Sequence, residues 1–203
     1  MRISSLGDFK REMLTIDQLV DRKATLPEQV FRRRASAFHV IDFDEVWSES
    51  FFRDVQCLTR TAGDDLFTFA VLLPDPEFYY YHHFGNFPLL RFSTADPVDS
   101  YIASIHEDPA GSPADAIVYH SETILVYPAS SRWAIYGDRN LEIGIVAVMD
   151  VDMVAAVTST IEAMRLFTPA EALKELLPPV YGGNVPDELR RMLVANYGAG
   201  VIA

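Results

Sequence analysis

Residues 78 to 85, Phe78-Tyr79-Tyr80-Tyr81-His82-His83-Phe84-Gly85, set three phenols beside two imidazoles. An imidazole exchanges its proton near neutral pH, so His82 or His83 suits a general base or a metal ligand, and Tyr79 and Tyr81 suit the rim of a ligand pocket around them. Extended geometry argues against a shared metal, because neighbours on a strand point to opposite faces. No His-x-x-x-His or Cys-x-x-Cys spacing supplies further ligands, so neither metal nor cofactor is expected. His120-Ser121-Glu122 holds the residue types of a nucleophile and its base, but without the Gly-x-Ser-x-Gly elbow that would aim the hydroxyl. Against a hydrolase-like use of His82, His83 or His120 in an aromatic-lined pocket stands the plainer reading of an aromatic surface patch.

Other stretches with the look of chemistry resolve more simply. Gly182-Gly183-Asn184 lacks the lysine of a phosphate loop and reads as a turn between helices. Cys57 is the only cysteine and lies on an apolar helical face, which predicts a buried, inert thiol and no internal disulfide. Asp138-Arg139 reads as turn chemistry before it reads as a recognition tip.

Charge constrains the partner more than any motif does. The chain carries a net charge of −12, with +3 over residues 1 to 34 and −15 over residues 35 to 203. No Lys or Arg occurs between Arg91 and Arg132, whereas Asp96, Asp99, Glu107, Asp108, Asp115 and Glu122 all fall there. Such a surface repels nucleic acid, since binding to phosphate needs cations, and it suits a basic protein partner. The one basic run, Arg32-Arg33-Arg34, reads as a solvated helix end.

The elements that must position these residues follow from periodicity. Residues 1 to 60 read as mainly helical, with capping boxes at Thr15-Ile16-Asp17-Gln18 and Thr25-Leu26-Pro27-Glu28 and a helix after Asp44 whose Trp47, Phe51, Val55 and Leu58 share a face. Residues 66 to 149 read as mainly strand with one helix. Leu66 to Leu73 and Leu89 to Ser93 are strands, and the helix starts at Asp96-Pro97. Thr123 to Tyr127, Arg132 to Tyr136 and Leu141 to Val148 are joined by connectors too short for parallel crossovers, which predicts an antiparallel three-stranded meander with Trp133 in its core. Residues 150 to 198 return to helix, with a stripe of Met153, Val157, Ile161 and Met164, a capping box at Thr168 and a last helix from Pro186 to Gly198. The expected fold is one α+β domain over residues 1 to 203, its antiparallel sheet flanked by N-terminal and C-terminal helices. The first residues lack an apolar stretch of signal-peptide length, and no run reaches the roughly 20 apolar residues of a membrane span. A cytoplasmic protein is expected, with no membrane partner.

Residues 126 to 139, Val126-Tyr127-Pro128-Ala129-Ser130-Ser131-Arg132-Trp133-Ala134-Ile135-Tyr136-Gly137-Asp138-Arg139, resemble the small acidic immunity proteins that bacteria pair with polymorphic toxins. The resemblance lies in a Pro-Ser turn, a Trp strand and an Asp-containing turn. It implies a protein that binds a toxin and blocks it without performing chemistry. The sequence therefore leads to a non-enzymatic acidic binding protein, an immunity-type inhibitor of a basic partner, with the six acids of residues 96 to 122 as its partner-binding side chains. The alternative is the hydrolase-like enzyme.

Overall fold

The computed structural model describes residues 2–161 and 164–198. In chain order its elements are α1 (Leu6–Leu19), β1 (Ala37–Asp42), a 3₁₀ turn (Phe43–Trp47), α2 (Glu49–Thr61), β2 (Leu66–Leu73), a π-helical turn (Pro76–Tyr81), α3 (His82–Phe84) and β3 (Leu89–Ser93). There follow α4 (Val98–Ile105), a 3₁₀ turn (Pro113–Asp115), α5 (Ile117–His120), β4 (Thr123–Pro128), β5 (Trp133–Asp138), β6 (Ile143–Val148), α6 (Met153–Thr160), α7 (Pro169–Glu175), α8 (Leu177–Val180) and α9 (Asp187–Tyr197).

The strands form one antiparallel sheet in the order β1-β6-β5-β4-β2-β3. This is an α+β fold, and β4, β5 and β6 are the meander that the short connectors required. Alternate residues of each strand feed two cores. On one face Val40, Leu125, Tyr136 and Ile145 pack with side chains of α1, α7, α8 and α9. On the other, Ile41, Val126, Trp133 and Val146 pack with α2, α4, α5 and α6. Because helices cover both faces, every residue of β4, β5 and β6 is buried. These strands thus read as unbroken apolar runs, a pattern usual for parallel sheets and produced here by two-sided burial. Trp133 is fully buried opposite Val148.

Gly137 and Gly144 face each other across β5 and β6. A Cβ at Gly137 would lie 2.8 Å from Phe43 and 2.9 Å from Ile124, and one at Gly144 would lie 2.8 Å from Ile41. Gly137 leaves the hollow into which Phe43 of the 3₁₀ turn settles against the sheet, and Gly144 leaves the space that the Ile41 side chain fills.

Both sheet edges are guarded. On β3, the Ile3 N–H donates to the Leu89 carbonyl at 2.9 Å, the Ser93 N–H donates to the Asp96 carboxylate at 2.8 Å, and the Gln56 amide donates to the Ser93 carbonyl at 3.3 Å. On β1, Val40 exchanges both backbone hydrogen bonds with Phe167, at 2.7 and 2.9 Å. Little of either edge is left to pair with another chain.

Local expectations meet mixed outcomes. The Thr168 box forms in full, with Thr168 and Glu171 satisfying each other's backbone N–H groups. Thr15, in contrast, lies inside α1 with its hydroxyl on the Arg11 carbonyl at 3.4 Å. The true cap of α1 is Ser5, which accepts from the Asp8 N–H at 3.0 Å. The Thr25 to Glu28 stretch closes as a turn and starts no helix. Helix dominates the first third in α1 and α2, but β1 intervenes, and Arg32, Arg33 and Arg34 lie exposed in the chain leading into that strand, at no helix end. Cys57 is half-exposed beside Arg60, whose guanidinium lies 3.2 Å from the sulfur, so the expectation of a buried thiol fails. Among the described residues no helix is long and apolar enough to cross a membrane.

Candidate functional site

The aromatic stretch is helical, contrary to the extended geometry assumed for it. Asp75 caps the turn, its carboxylate accepting from the N–H groups of Glu77 at 2.9 Å and Phe78 at 2.7 Å. Pro76 takes the first helical position, where its missing N–H costs nothing. Gly85 closes the element at φ 69°, a left-handed conformation that glycine adopts without strain. Helical rotation then sorts the side chains: Tyr80 is fully buried, Tyr79 half-buried, and Phe78, Tyr81, His82 and His83 exposed. The two imidazoles part company, His82 lying 6.0 Å from the Phe78 ring and His83 5.3 Å from the Tyr79 ring. Among the described residues, no three His, Cys, Asp or Glu side chains gather as metal ligands.

Loop 106–116 and α5 pack against this helical turn. Arg2 binds Glu107 at 2.8 Å, and Asn86 donates to the Pro109 carbonyl at 3.0 Å. The Asp108 carboxylate accepts from the N–H groups of Ala110 at 3.0 Å and Ser112 at 2.8 Å, which holds its carboxyl below the usual range. The Tyr79 hydroxyl donates to Asp115 at 2.5 Å. The Ser112 hydroxyl donates to the other oxygen of the same carboxylate. His120 stacks on the Tyr79 ring at 4.9 Å, with its Nε2 3.8 Å from Asp115. The Ser112 and Tyr79 hydrogen bonds, with smaller help from His120 and His83, hold Asp115 below the ordinary carboxylate range against the opposing effect of burial. The same bond raises the Tyr79 phenol, since its proton is held on a carboxylate. Farther along, the His106 and Tyr119 rings meet at 5.9 Å.

Two features read separately in the sequence, the aromatic–histidine stretch and the acids of residues 107 to 122, thus form one corner of the molecule. Not all six acids are free to meet a partner. Asp96 guards the β3 edge, Glu107 pairs with Arg2, Asp108 closes its loop and Asp115 holds Tyr79 and Ser112. The Asp99 and Glu122 side chains are exposed, and their carboxylates enter no hydrogen bond or ion pair among the described residues.

Two cavities lie near this corner and along the sheet edge. A cavity of about 510 Å³ lies between α1 and residues 75 to 78, lined by Phe9, Met13, Leu14 and Phe78. Another of about 690 Å³ runs along β3 and α4, past Arg91, Phe92, Ser100 and Ser104. Neither is lined by a histidine, by Tyr79 or by Tyr81. Ser121 is fully buried and donates its hydroxyl to the Ile117 carbonyl at 2.6 Å, so it is no partner for His120 as a nucleophile.

Two polar nodes had no signal in the sequence. Under α1, Glu12 accepts from the Tyr127 hydroxyl at 2.5 Å and from Thr68 at 3.4 Å, and pairs with Arg91. Burial first, then the neighbouring Glu12 charge, pushes the Tyr127 phenol up. Arg139 is a clamp and no recognition tip. It donates to the carbonyls of Ser121 at 2.6 Å and Val118 at 2.8 Å and lies 5.2 and 5.1 Å from the Phe43 and Trp47 rings. This anchors α5, and with it His120, to the sheet. Both nodes join residues distant in sequence, where spacing carries no information.

Compared with protein-family models, with curated proteins and with solved structures, the chain matches none.

Proposed function

We propose that this chain is a non-enzymatic acidic binding protein of the bacterial cytosol, an immunity-type inhibitor that occupies a basic protein partner. The observation that carries this reading is the joined corner of residues 75–84 and 106–122, where exposed rings stand among carboxylates. Phe78 is 75% exposed and Tyr119 62% exposed, large apolar surfaces with little contact of their own. Aromatic side chains of this kind supply most of the energy of an interface, and surrounding charge sets association rate and partner choice. Residues 75–84 and 106–122 hold no Lys or Arg of their own, and Arg2 and Arg139, which reach them from elsewhere in the chain, are engaged with Glu107 and with the Val118 and Ser121 carbonyls. The exposure of His82 and His83 favours contact with a macromolecule over a reaction in a closed site.

The test is to isolate the partner with the tagged chain and measure both rate constants across ionic strength. Replacing Phe78 and Tyr119 by Ser should speed dissociation by about thirtyfold, the loss of an aromatic anchor of about 2 kcal/mol. An Asp99→Asn, Glu122→Gln variant should slow association at low salt and converge on the native rate as the Debye length shrinks towards about 3 Å at 1 M. Rates equal to those of the native chain in both variants would place the interface elsewhere.

A further inference from the structure

We propose, building on the binding reading above, that acidification releases the partner from this corner, through protonation of the histidines gathered there. Four of the five histidines of the chain belong to the corner: His82, His83, His106 and His120. Ring contacts link them. His83 lies 5.3 Å from Tyr79, and Tyr79 lies 4.9 Å from His120. The next residue back, Tyr119, lies 5.9 Å from His106. His82 sits on the same helical turn, against Phe78. The fifth, His39, belongs to β1 in the sheet.

Histidine is the side chain whose charge ordinarily changes between about pH 5 and pH 8. Each proton taken up adds a cation to a face that otherwise presents carboxylates and phenols. Charged groups reach these rings from several packed elements, and Lys10, Asp17 and Arg22 line the cavity beside Glu77 and Phe78. Asp115 lies under His120 and His83, with the phenol of Tyr79 between them. Glu107, held by Arg2, and Asp108 follow His106 in the same loop. Arg139 backs α5 through the Val118 and Ser121 carbonyls, with Glu122 contributing negative charge beside it. Glu77 stands exposed at the start of the helical turn. Residues 75–84 and 106–122 hold six carboxylates, Asp75, Glu77, Glu107, Asp108, Asp115 and Glu122, and four protonated imidazoles would offset four of their charges. Because His82, His83 and His106 are exposed and His120 is half-exposed, the new charges sit where a cationic partner must approach. Carboxylates keep their charge over this interval, so the change in field comes from the imidazoles.

The probe is a short fluorescein-labelled peptide of Lys-Gly-Tyr repeats, followed by fluorescence anisotropy at low ionic strength. Its affinity for the native chain should fall on the order of tenfold from about pH 7.5 to about pH 5.5, and the fall should shrink as added salt screens the charges. A variant carrying His82→Gln, His83→Gln, His106→Gln and His120→Gln should lose most of that pH dependence. Native protein alone supplies a second test through reciprocity. Bound peptide must make these four imidazoles harder to protonate, seen by NMR as a lower titration midpoint, and leave His39 unmoved. Saturable binding that does not change with pH, an equal fall in the fourfold variant, or midpoints unmoved by peptide would overturn acid release and leave the binding reading standing. No saturable binding at either pH would overturn the binding reading, and acid release with it.

Discussion

Trp133→Ala probes the center of the fold and separates two energies that the structure sets against each other. The indole is fully buried in β5, opposite Val148. A buried Trp removes roughly 200 to 250 Å² from water, which at about 25 cal/mol per Å² stabilises by about 5 to 6 kcal/mol. The indole N–H, however, has no hydrogen-bond partner among the described residues. Leaving a buried donor unmet costs about 1 to 3 kcal/mol, and truncation removes that penalty along with the ring. The net loss for Trp133→Ala should be about 2 to 5 kcal/mol, overlapping the range for large-to-small core changes. Trp133→Phe keeps most of the ring and discards the unmet N–H, so it should cost less than about 1.5 kcal/mol. Urea titration followed by circular dichroism measures both. The chain has two tryptophans, and in a Trp47→Phe background the remaining emission should be blue-shifted when folded. The reasoning is refuted if Trp133→Ala costs under about 1 kcal/mol, if Trp133→Phe costs as much as Trp133→Ala, or if the isolated emission is that of an exposed indole.

Gly137→Ala should destabilise by about 1 to 3 kcal/mol, because the new methyl meets Phe43 and Ile124 at under 3 Å and overfills the hollow; the shift of the urea midpoint at constant slope measures it. His39 gives a stability signal at mildly acid pH. Burial of its ring lowers its pKa below 6.5, with the Glu171 charge opposing. Above 6.5 the imidazole is neutral folded or unfolded and this contribution is complete. As pH falls below 6.5 the unfolded chain takes the proton first, and stability is lost until the folded-state value is passed. Urea midpoints measured from about pH 7.5 to 5 should show a decline that His39→Gln flattens; parallel slopes for the two proteins would exclude the imidazole as its source.

Legibility in the sequence tracked the range of the interactions that made each element. The meander, the Thr168 box, β2, β3, α4 and α9 were readable because local period, turn residues or a cap decide them. Burial on both faces strengthened that signal in β4 to β6 by making every position apolar. β1 escaped because its six residues are organised by pairing with β6, far along the chain, and its period competes with an adjacent arginine run. The aromatic stretch misled for a local reason: three tyrosines favour a strand by composition, yet the Asp75 cap and Pro76 start a helix. The rings and the acids were each legible as residue types. Their joining through Tyr79 and Asp115 was not, because it rests on a contact between residues 36 apart.

The strand order has a consequence for how the chain is made. β1 pairs with β6 alone within the sheet, Ala37 opposite Val148 and Asp42 opposite Ile143. A ribosome adding about 5 to 20 residues per second delivers β1 several seconds before its neighbour exists. Through that interval Phe38, Val40 and Ile41, all buried at the end, form an apolar strand without a sheet. Arg32, Arg33 and Arg34 stand immediately upstream and remain exposed in the finished fold. Like charges beside an apolar strand keep nascent copies apart, in the manner of gatekeeper residues.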